Sequence, residues 1–355
     1  MHSRSLAIAA VLCLLTALAG CGLSASPAQH ATSSVTSGTP SCQPQCATLA
    51  AAAHVRVFVE PAARATPILD AIRGARTSLW MGMYLLTSLD VIHALEDAHN
   101  RGVDVRVMLE PHPFGSGPDG QLPLIAELNT AGVSARATSP AFTLTHEKIM
   151  LVDAATAYIM TGNLTKSALG GSSATTNREY GIIATNAATV SDVRASFQAD
   201  WDRQPYSPVD PALVVSPTNS RIRLLTLIAI ARSSLSLEEE ELFDPQIMAA
   251  LVAAARRGVS VRLLLPGVSG SGDSTERANV AALTAAGGMV RRSARYYIHA
   301  KLIVADANIA FVGSENISVA SLDQNREMGI IVSDTTAITT FEACITDDWT
   351  NSVAA

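Results

Sequence analysis

The chain has 355 residues, 48% hydrophobic and 16% charged, enough to bury two ordinary domains or one large one. A net charge of -6 excludes a general electrostatic attraction to nucleic acid, though not a local basic groove. Aromatic residues are few and alanine is abundant, the composition of helices packed closely on sheets.

The chain opens with MHSRSLAIAAVLCLLTALAGC: Arg4, an apolar run from Leu6 to Ala19, then Leu18-Ala19-Gly20-Cys21. The run is short for a membrane span and has the order of a signal-peptide core. Leu-Ala-Gly-Cys resembles the bacterial lipobox, which implies cleavage before Cys21, lipid attachment to its thiol, a membrane anchor and an extracytoplasmic location. An ordinary cleaved signal with an incidental cysteine is the alternative. Residues 22–52 are rich in Ser, Thr, Pro and Ala without periodicity and are expected as a flexible tether. Cys42 and Cys46 lie close enough for a small disulfide loop in an oxidising compartment, and Cys344 is expected as a buried free thiol on the last helix.

From His54 onward short β-rich runs alternate with amphipathic helices. HVRVFVE, TSLWMGMYLL, VDVRVML and KIMLV are expected strands; ATPILDAIRGA and SLDVIHALEDAHN are expected helices between them. The loop EPHPFGSGPDG (Glu110 to Gly120) is of the Gly/Pro-rich kind that shapes a cleft mouth. Gly102 and Gly258 stand where helix C-caps precede strands. His54, His93, His99 and His112 are expected on surfaces or helices.

The chain then repeats itself. RGVDVRVMLEP from Arg101 returns 156 residues later as RGVSVRLLLPG from Arg257; THEKIMLVDA returns as IHAKLIVADA, and NREYGIIATN as NREMGIIVSD. Each half closes on an amphipathic stretch with a tryptophan, Trp201 and Trp349. The reading is two homologous α/β lobes, 53–205 and 206–355, with prolines from Pro205 to Pro217 marking the join. SLEEEELFD (Ser236 to Asp244) aligns with LWMGMYLLTS of the first half and is expected as a strand end near the cleft rim, more a solvated acidic edge than a determinant of substrate choice.

Only three lysines occur in the chain, and two of them, Lys148 and Lys301, stand two residues after His146 and His299. Period-two alternation puts each His/Lys pair on one strand face. Asp153 and Asp306 fall at odd spacing, in the turns, as structural supports. Asn163 and Asn316 follow, and Thr161 and Ser314 offer hydroxyls. Two histidines, two lysines and two amides converging on one point suit a tetrahedral oxyanion: lysines neutralise, amides donate, histidines attack or protonate. Lysine beside each histidine would repel a cation, so no metal is expected. Glu179, 33 residues after His146, and Glu327, 28 after His299, are candidates to hold a histidine's second nitrogen.

His-x-Lys-x4-Asp-x6-Gly-Ser-x-Asn resembles the HKD motif of the phospholipase D superfamily. HAKLIVADANIAFVGSEN matches it at every defined position; HEKIMLVDAATAYIMTGN departs at Met160 and Thr161. The resemblance covers about residues 54 to 350 and implies a pseudo-twofold α/β sandwich with one active site between the lobes. It also implies phosphodiester cleavage or exchange without metal or cofactor. One histidine, His146 by family habit, would form a phosphohistidine, and His299 would protonate the leaving alcohol. Lys148, Lys301, Asn163 and Asn316 would bind phosphate, with Asp153 and Asp306 counted in the catalytic motif and Glu179 and Glu327 orienting the histidines. The expected substrate is phospholipid, acted on by a monomer. A secreted nuclease and a cardiolipin synthase-like phosphatidyltransferase are the alternatives, and two intact His/Lys pairs argue against a silent scaffold.

Overall fold

A computed structural model describes residues 49–171, 176–267 and 273–355. The signal peptide, Cys21, Cys42, Cys46 and the tether up to residue 48 lie outside the described residues. Leu49 and Ala52, on the tether side of the expected boundary, already pack against the second half: Leu49 is buried, and the Ala52 amide donates to the Ile331 carbonyl at 2.8 Å.

The first lobe runs β1 (Arg56–Glu60), α1 (Thr66–Gly74), β2 (Ser78–Met83), α2 (Leu89–Asn100), β3 (Asp104–Leu109), α3 (Leu122–Thr130), β4 (Ser134–Ala137), β5 (Lys148–Val152), β6 (Thr156–Met160), β7 (Asn177–Ala184) and α4 (Ala187–Trp201). The second runs β8 (Leu213–Ser216), α5 (Ser220–Ile230), β9 (Ser234–Glu239), α6 (Pro245–Arg256), β10 (Ser260–Leu265), α7 (Ser274–Ala285), β11 (Met289–Ser293), β12 (Tyr297–Ile298), β13 (Lys301–Ala305), β14 (Ile309–Gly313), α8 (Val319–Asp323), β15 (Glu327–Val332), α9 (Thr335–Thr350) and β16 (Ser352–Ala354). The sheet orders are β1-β7-β6-β5-β2-β3-β4 and β8-β15-β14-β13-β9-β10-β11-β16. Apart from the edge strand β16, the second order repeats the first strand for strand. The expected α/β class and the doubling both hold.

The helices form where the residues dictate. Asp244 caps α6 by accepting the amides of Gln246 and Ile247, and Pro245 fills its first turn. Gly102 and Gly258 follow α2 and α6 at φ +90°, the left-handed turn that glycine adopts without a Cβ clash. Leu79, Ile92, Leu95 and Val107 bury the outer face of the first sheet under α1 and α2; Leu227, Ile247, Leu251 and Leu263 do so in the second. Between the sheets one continuous core joins Ile149, Ile182 and Phe197 of the first lobe to Leu302, Ile330 and Phe341 of the second. Each such side chain stabilises by about 1.5–3 kcal/mol on leaving water.

The acidic run is not a solvated edge. β9 lies between β10 and β13 in mid-sheet, so both its faces are covered, and Glu238 and Glu239 are fully buried. Tyr180 of the first lobe donates its hydroxyl to Glu238 at 2.8 Å. The alignment with the apolar LWMGMYLL already carried that signal, since a repeat preserves burial before it preserves polarity. Cys344 is free on α9 but half-buried, at the margin of the inter-sheet core. His54, His93 and His112 are exposed and His99 is half-buried.

Candidate active site

β5 and β13 start at Lys148 and Lys301, antiparallel to β2 and β9, with Met83 opposite Lys148 and Glu239 opposite Lys301. The site therefore lies at the carboxyl ends of the parallel strands, where open α/β sheets hold ligands. Just before each lysine the chain crosses to the other lobe. The His146 amide donates to the Arg326 carbonyl at 2.8 Å, and the His299 amide to the Arg178 carbonyl at 3.3 Å. Tyr297 and Ile298 pair in parallel with Asn177 and Arg178, and Thr145 bridges Arg326 in the same sense.

This crossing decides the glutamates. The residue after each arginine faces the other lobe's histidine: Glu327 Oε2 lies 2.9 Å from His146 Nδ1, and Glu179 Oε1 lies 2.8 Å from His299 Nδ1. Spacing in the sequence pointed to partners within one lobe; the contacts run between lobes. The same arginines lock the halves. Arg178 grips Asp348 with two nitrogens at 2.5 and 2.9 Å, and Arg326 grips Asp200 at 2.8 and 2.9 Å, all four groups buried. The asparagine before each arginine supports the glutamate, Asn177 to Glu179 at 2.9 Å and Asn325 to Glu327 at 3.1 Å.

Thr161 and Ser314, expected as substrate ligands, are fully buried behind the glutamates. Thr161 donates to Glu179 Oε2 at 2.7 Å and accepts the Tyr180 amide; Ser314 accepts the Met328 amide and adds a hydrogen bond to Glu327. Their hydroxyls are committed to holding carboxylates. Asn163 and Asn316 make no side-chain hydrogen bond within the described residues, and each carries a buried, unpartnered Oδ1. Their amides remain open to a ligand. Met160, the departure from the motif, buries its side chain in the outer core of the first lobe. At the equivalent place Gly313 lies against Gly329, where an added Cβ would stand 2.5 Å from the Gly329 Cα.

The motif aspartates stand apart. Asp153 and Asp306 lie at the far ends of β5 and β13, about 16 Å along the strand from each lysine. Both sit at positive φ, +54° and +53°, in the turn to the next strand. Asp153 accepts the amides of Arg76, Thr77 and Ser78; Asp306 accepts those of Arg232, Ser233 and Ser234. They support the turns, at the opposite strand ends from the His/Lys pairs.

Electrostatics separates the two halves of the site. Burial pulls the His146 ring down to about 4, against the opposing pull of Glu327. Burial, with Lys301 nearby, pulls Lys148 down to about 7, and its Nζ donates to the His146 carbonyl at 2.7 Å. Lys301 is equally buried, yet Glu240 and Glu179 outweigh desolvation and leave it raised. Its Nζ meets Glu240 Oε2 at 2.8 Å and the His299 carbonyl at 2.7 Å. Tyr84 sets its ring edge-on to His146, centroids 4.5 Å apart. Tyr84, Glu240, Tyr297 and the Arg/Asp locks escaped sequence reasoning, although the arginines were visible in the repeated Asn-Arg-Glu. Among the described residues no three or more His, Cys, Asp and Glu side chains are grouped to hold a metal ion. None of the described helices is long and apolar enough to cross a membrane.

Comparison with known proteins finds the same doubling. The family model described as "Cardiolipin synthase, PLD-like domain" matches twice, at residues 68–201 and 224–349. Phospholipase D Z of Dictyostelium discoideum is 33% identical over 154 residues, 38% of this chain and 34% of that protein. Cardiolipin synthase A of Pseudomonas fluorescens is 23% identical over 337 residues, 83% of this chain and 68% of that protein. The chain thus spans about a third of the first relative and about two thirds of the second. The solved phosphatidylserine synthase of Haemophilus influenzae shares the fold, with a TM-score of 0.65 at 10% identity over 85% of this chain and 87% of that one.

Proposed function

Because the chain belongs to the phospholipase D-like family, we propose that it is a metal-independent phosphodiesterase that works through a phosphohistidine on His146 and acts on phospholipid headgroups. One observation carries the reading: each histidine has its Nδ1 on a buried glutamate of the opposite lobe, beside a buried lysine. A carboxylate on Nδ1 directs the Nε2 lone pair outward and compensates the charge the ring acquires. His146, held neutral by burial, is the nucleophile. His299, its Nδ1 held by Glu179 at 2.8 Å, is the general acid that faces the leaving oxygen. Lys148, Lys301, Asn163 and Asn316 stabilise the negative charge on the phosphoryl oxygens.

In the first step His146 Nε2 bonds to phosphorus as the bond to the headgroup oxygen breaks, and that oxygen takes the His299 proton. In the second step His299 removes a proton from water or an alcohol, which attacks the phosphohistidine and frees His146. The matched cardiolipin synthase relatives favour an alcohol acceptor, hence headgroup transfer beside hydrolysis. Lipid attachment at Cys21 would hold the enzyme beside its substrate outside the cytoplasm; Cys21→Ser should then release the protein from membranes with turnover of soluble diesters intact.

The deciding experiment assays the purified protein in EDTA on phosphatidylcholine, phosphatidylglycerol with and without added glycerol, and plasmid DNA. Turnover of a phospholipid supports the reading. Activity that vanishes in EDTA and returns with a divalent ion sinks the mechanism, and cleavage confined to DNA makes the protein a nuclease.

A further inference from the structure

The two lobes differ at one register position of the site. Tyr84 follows β2 and Glu240 follows β9, and the two residues are as far apart in sequence as their strands. In the first lobe an aromatic ring fills this place and, among the described residues, no carboxylate is bonded to Lys148, whose Nζ donates to the His146 carbonyl. In the second lobe a carboxylate fills it. Glu240 lies 2.8 Å from Lys301 Nζ and 3.5 Å from His299 Nε2, and accepts the Tyr297 hydroxyl at 3.2 Å. Burial alone would push its carboxyl upward, but His299 and Lys301 hold it well below the usual carboxylate range, so it carries a full charge.

Lys301 Nζ and His299 Nε2 are the atoms that the proposed function assigns to a phosphoryl oxygen and to the leaving oxygen. A phosphodiester is itself an anion. It cannot meet both atoms while a carboxylate holds them, because two like charges would share one ammonium in a shielded site. The asymmetry makes this a property of the second half alone, since Tyr84 imposes no such competition on Lys148.

We propose that Glu240 is a resident anion of the phosphate subsite, which holds Lys301 and His299 in the substrate-free protein and must leave them when a phosphodiester enters. The inference rests on the phosphodiesterase reading. It makes Glu240 a positioning residue that sets the affinity for anions and, by returning to Lys301, expels a dianionic product more strongly than a monoanionic diester. Removal of its charge should therefore lower KM and the inhibition constant for phosphate together, while kcat falls as product is held longer.

The test is calorimetric titration of the full chain with inorganic phosphate, which needs no turnover. Glu240→Gln should bind phosphate about tenfold or more tightly than the parent, the order expected when one like charge is removed at contact distance. Glu240→Asp should fall between them, and Glu241→Gln, which removes a neighbouring charge, should change affinity less than about threefold. A merely structural role would weaken binding, not strengthen it. Equal or weaker binding by Glu240→Gln, or equal tightening by Glu241→Gln, overturns the proposal. Neither outcome touches the phosphodiesterase reading, which fails separately if His146→Ala still turns over bis(p-nitrophenyl) phosphate at the parent rate.

Discussion

Glu327→Gln removes a charge from one lobe and should silence a histidine of the other. The Glu327 carboxylate is fully buried and accepts His146 Nδ1 at 2.9 Å, Ser321 Oγ at 2.7 Å and Asn325 Nδ2 at 3.1 Å. Glutamine keeps the volume and loses the charge that balances an imidazole becoming cationic as it attacks. Breaking a buried pair on one side costs about 3–5 kcal/mol. At about 1.4 kcal/mol per decade, that is two to nearly four decades in the rate of phosphoenzyme formation. Stopped-flow release of nitrophenolate from bis(p-nitrophenyl) phosphate measures this step, with acid-labile phosphoryl label as a second reading. Glu179→Gln should leave the burst within about tenfold of the parent, because nitrophenolate departs without help from His299, and should slow the steady state instead. The reasoning is refuted if Glu179→Gln abolishes the burst while Glu327→Gln spares it, which would assign the nucleophile to His299.

Lys148→Met and Lys301→Met should each lower kcat/KM by roughly two to three decades through lost contacts to phosphoryl oxygens. Lys148→Met should melt at the same temperature or higher, since it takes a buried ammonium with no bonded carboxylate among the described residues out of the fold; a lower melting temperature with intact activity would make the lysine structural. In pH profiles, kcat/KM should be greatest between about pH 4, where His146 becomes neutral, and about pH 7, where Lys148 loses its proton as pH rises. Lys148→Arg, if active, should flatten the alkaline limb, and an unchanged limb would detach it from Lys148. Asp200→Asn should leave Arg326 buried and uncompensated, at about 3–5 kcal/mol in denaturant unfolding, and Asp200→Leu with Arg326→Met should recover most of that loss; additive losses in the double variant would contradict a locked pair.

Most of the fold was legible because it is written twice. Strands such as KIMLV and SLWMGM are too apolar and too short for anything but a covered sheet, and the repeat supplied their partners. The lobes' crossing was not legible. Residue spacing encodes distance along one chain, whereas Glu179 reaches His299 through a pairing of Tyr297–Ile298 with Asn177–Arg178 that exists only after the halves dock. The burial of Glu238 and Glu239 was missed for a related reason: charge composition points to solvent, and only the position of β9 in mid-sheet overrides it. Thr161 and Ser314 belong to the hydroxyl positions of the motif, and nothing in their spacing distinguishes a hydroxyl aimed at substrate from one aimed at a neighbouring carboxylate.

The paired arginines make the catalytic groups report on assembly. The Arg326 carbonyl that receives the His146 amide belongs to the residue whose guanidinium clasps Asp200, and Arg178 does the same for His299 and Asp348. Joining the halves and aiming the imidazoles are thus one event, served by one set of bonds. The chain behaves as a coincidence device: a single half, however well folded, holds a histidine with no carboxylate behind it. Mild denaturant that loosens the clasp should extinguish turnover before either sheet loses its core, and the gap between those two midpoints measures how tightly docking and chemistry are tied.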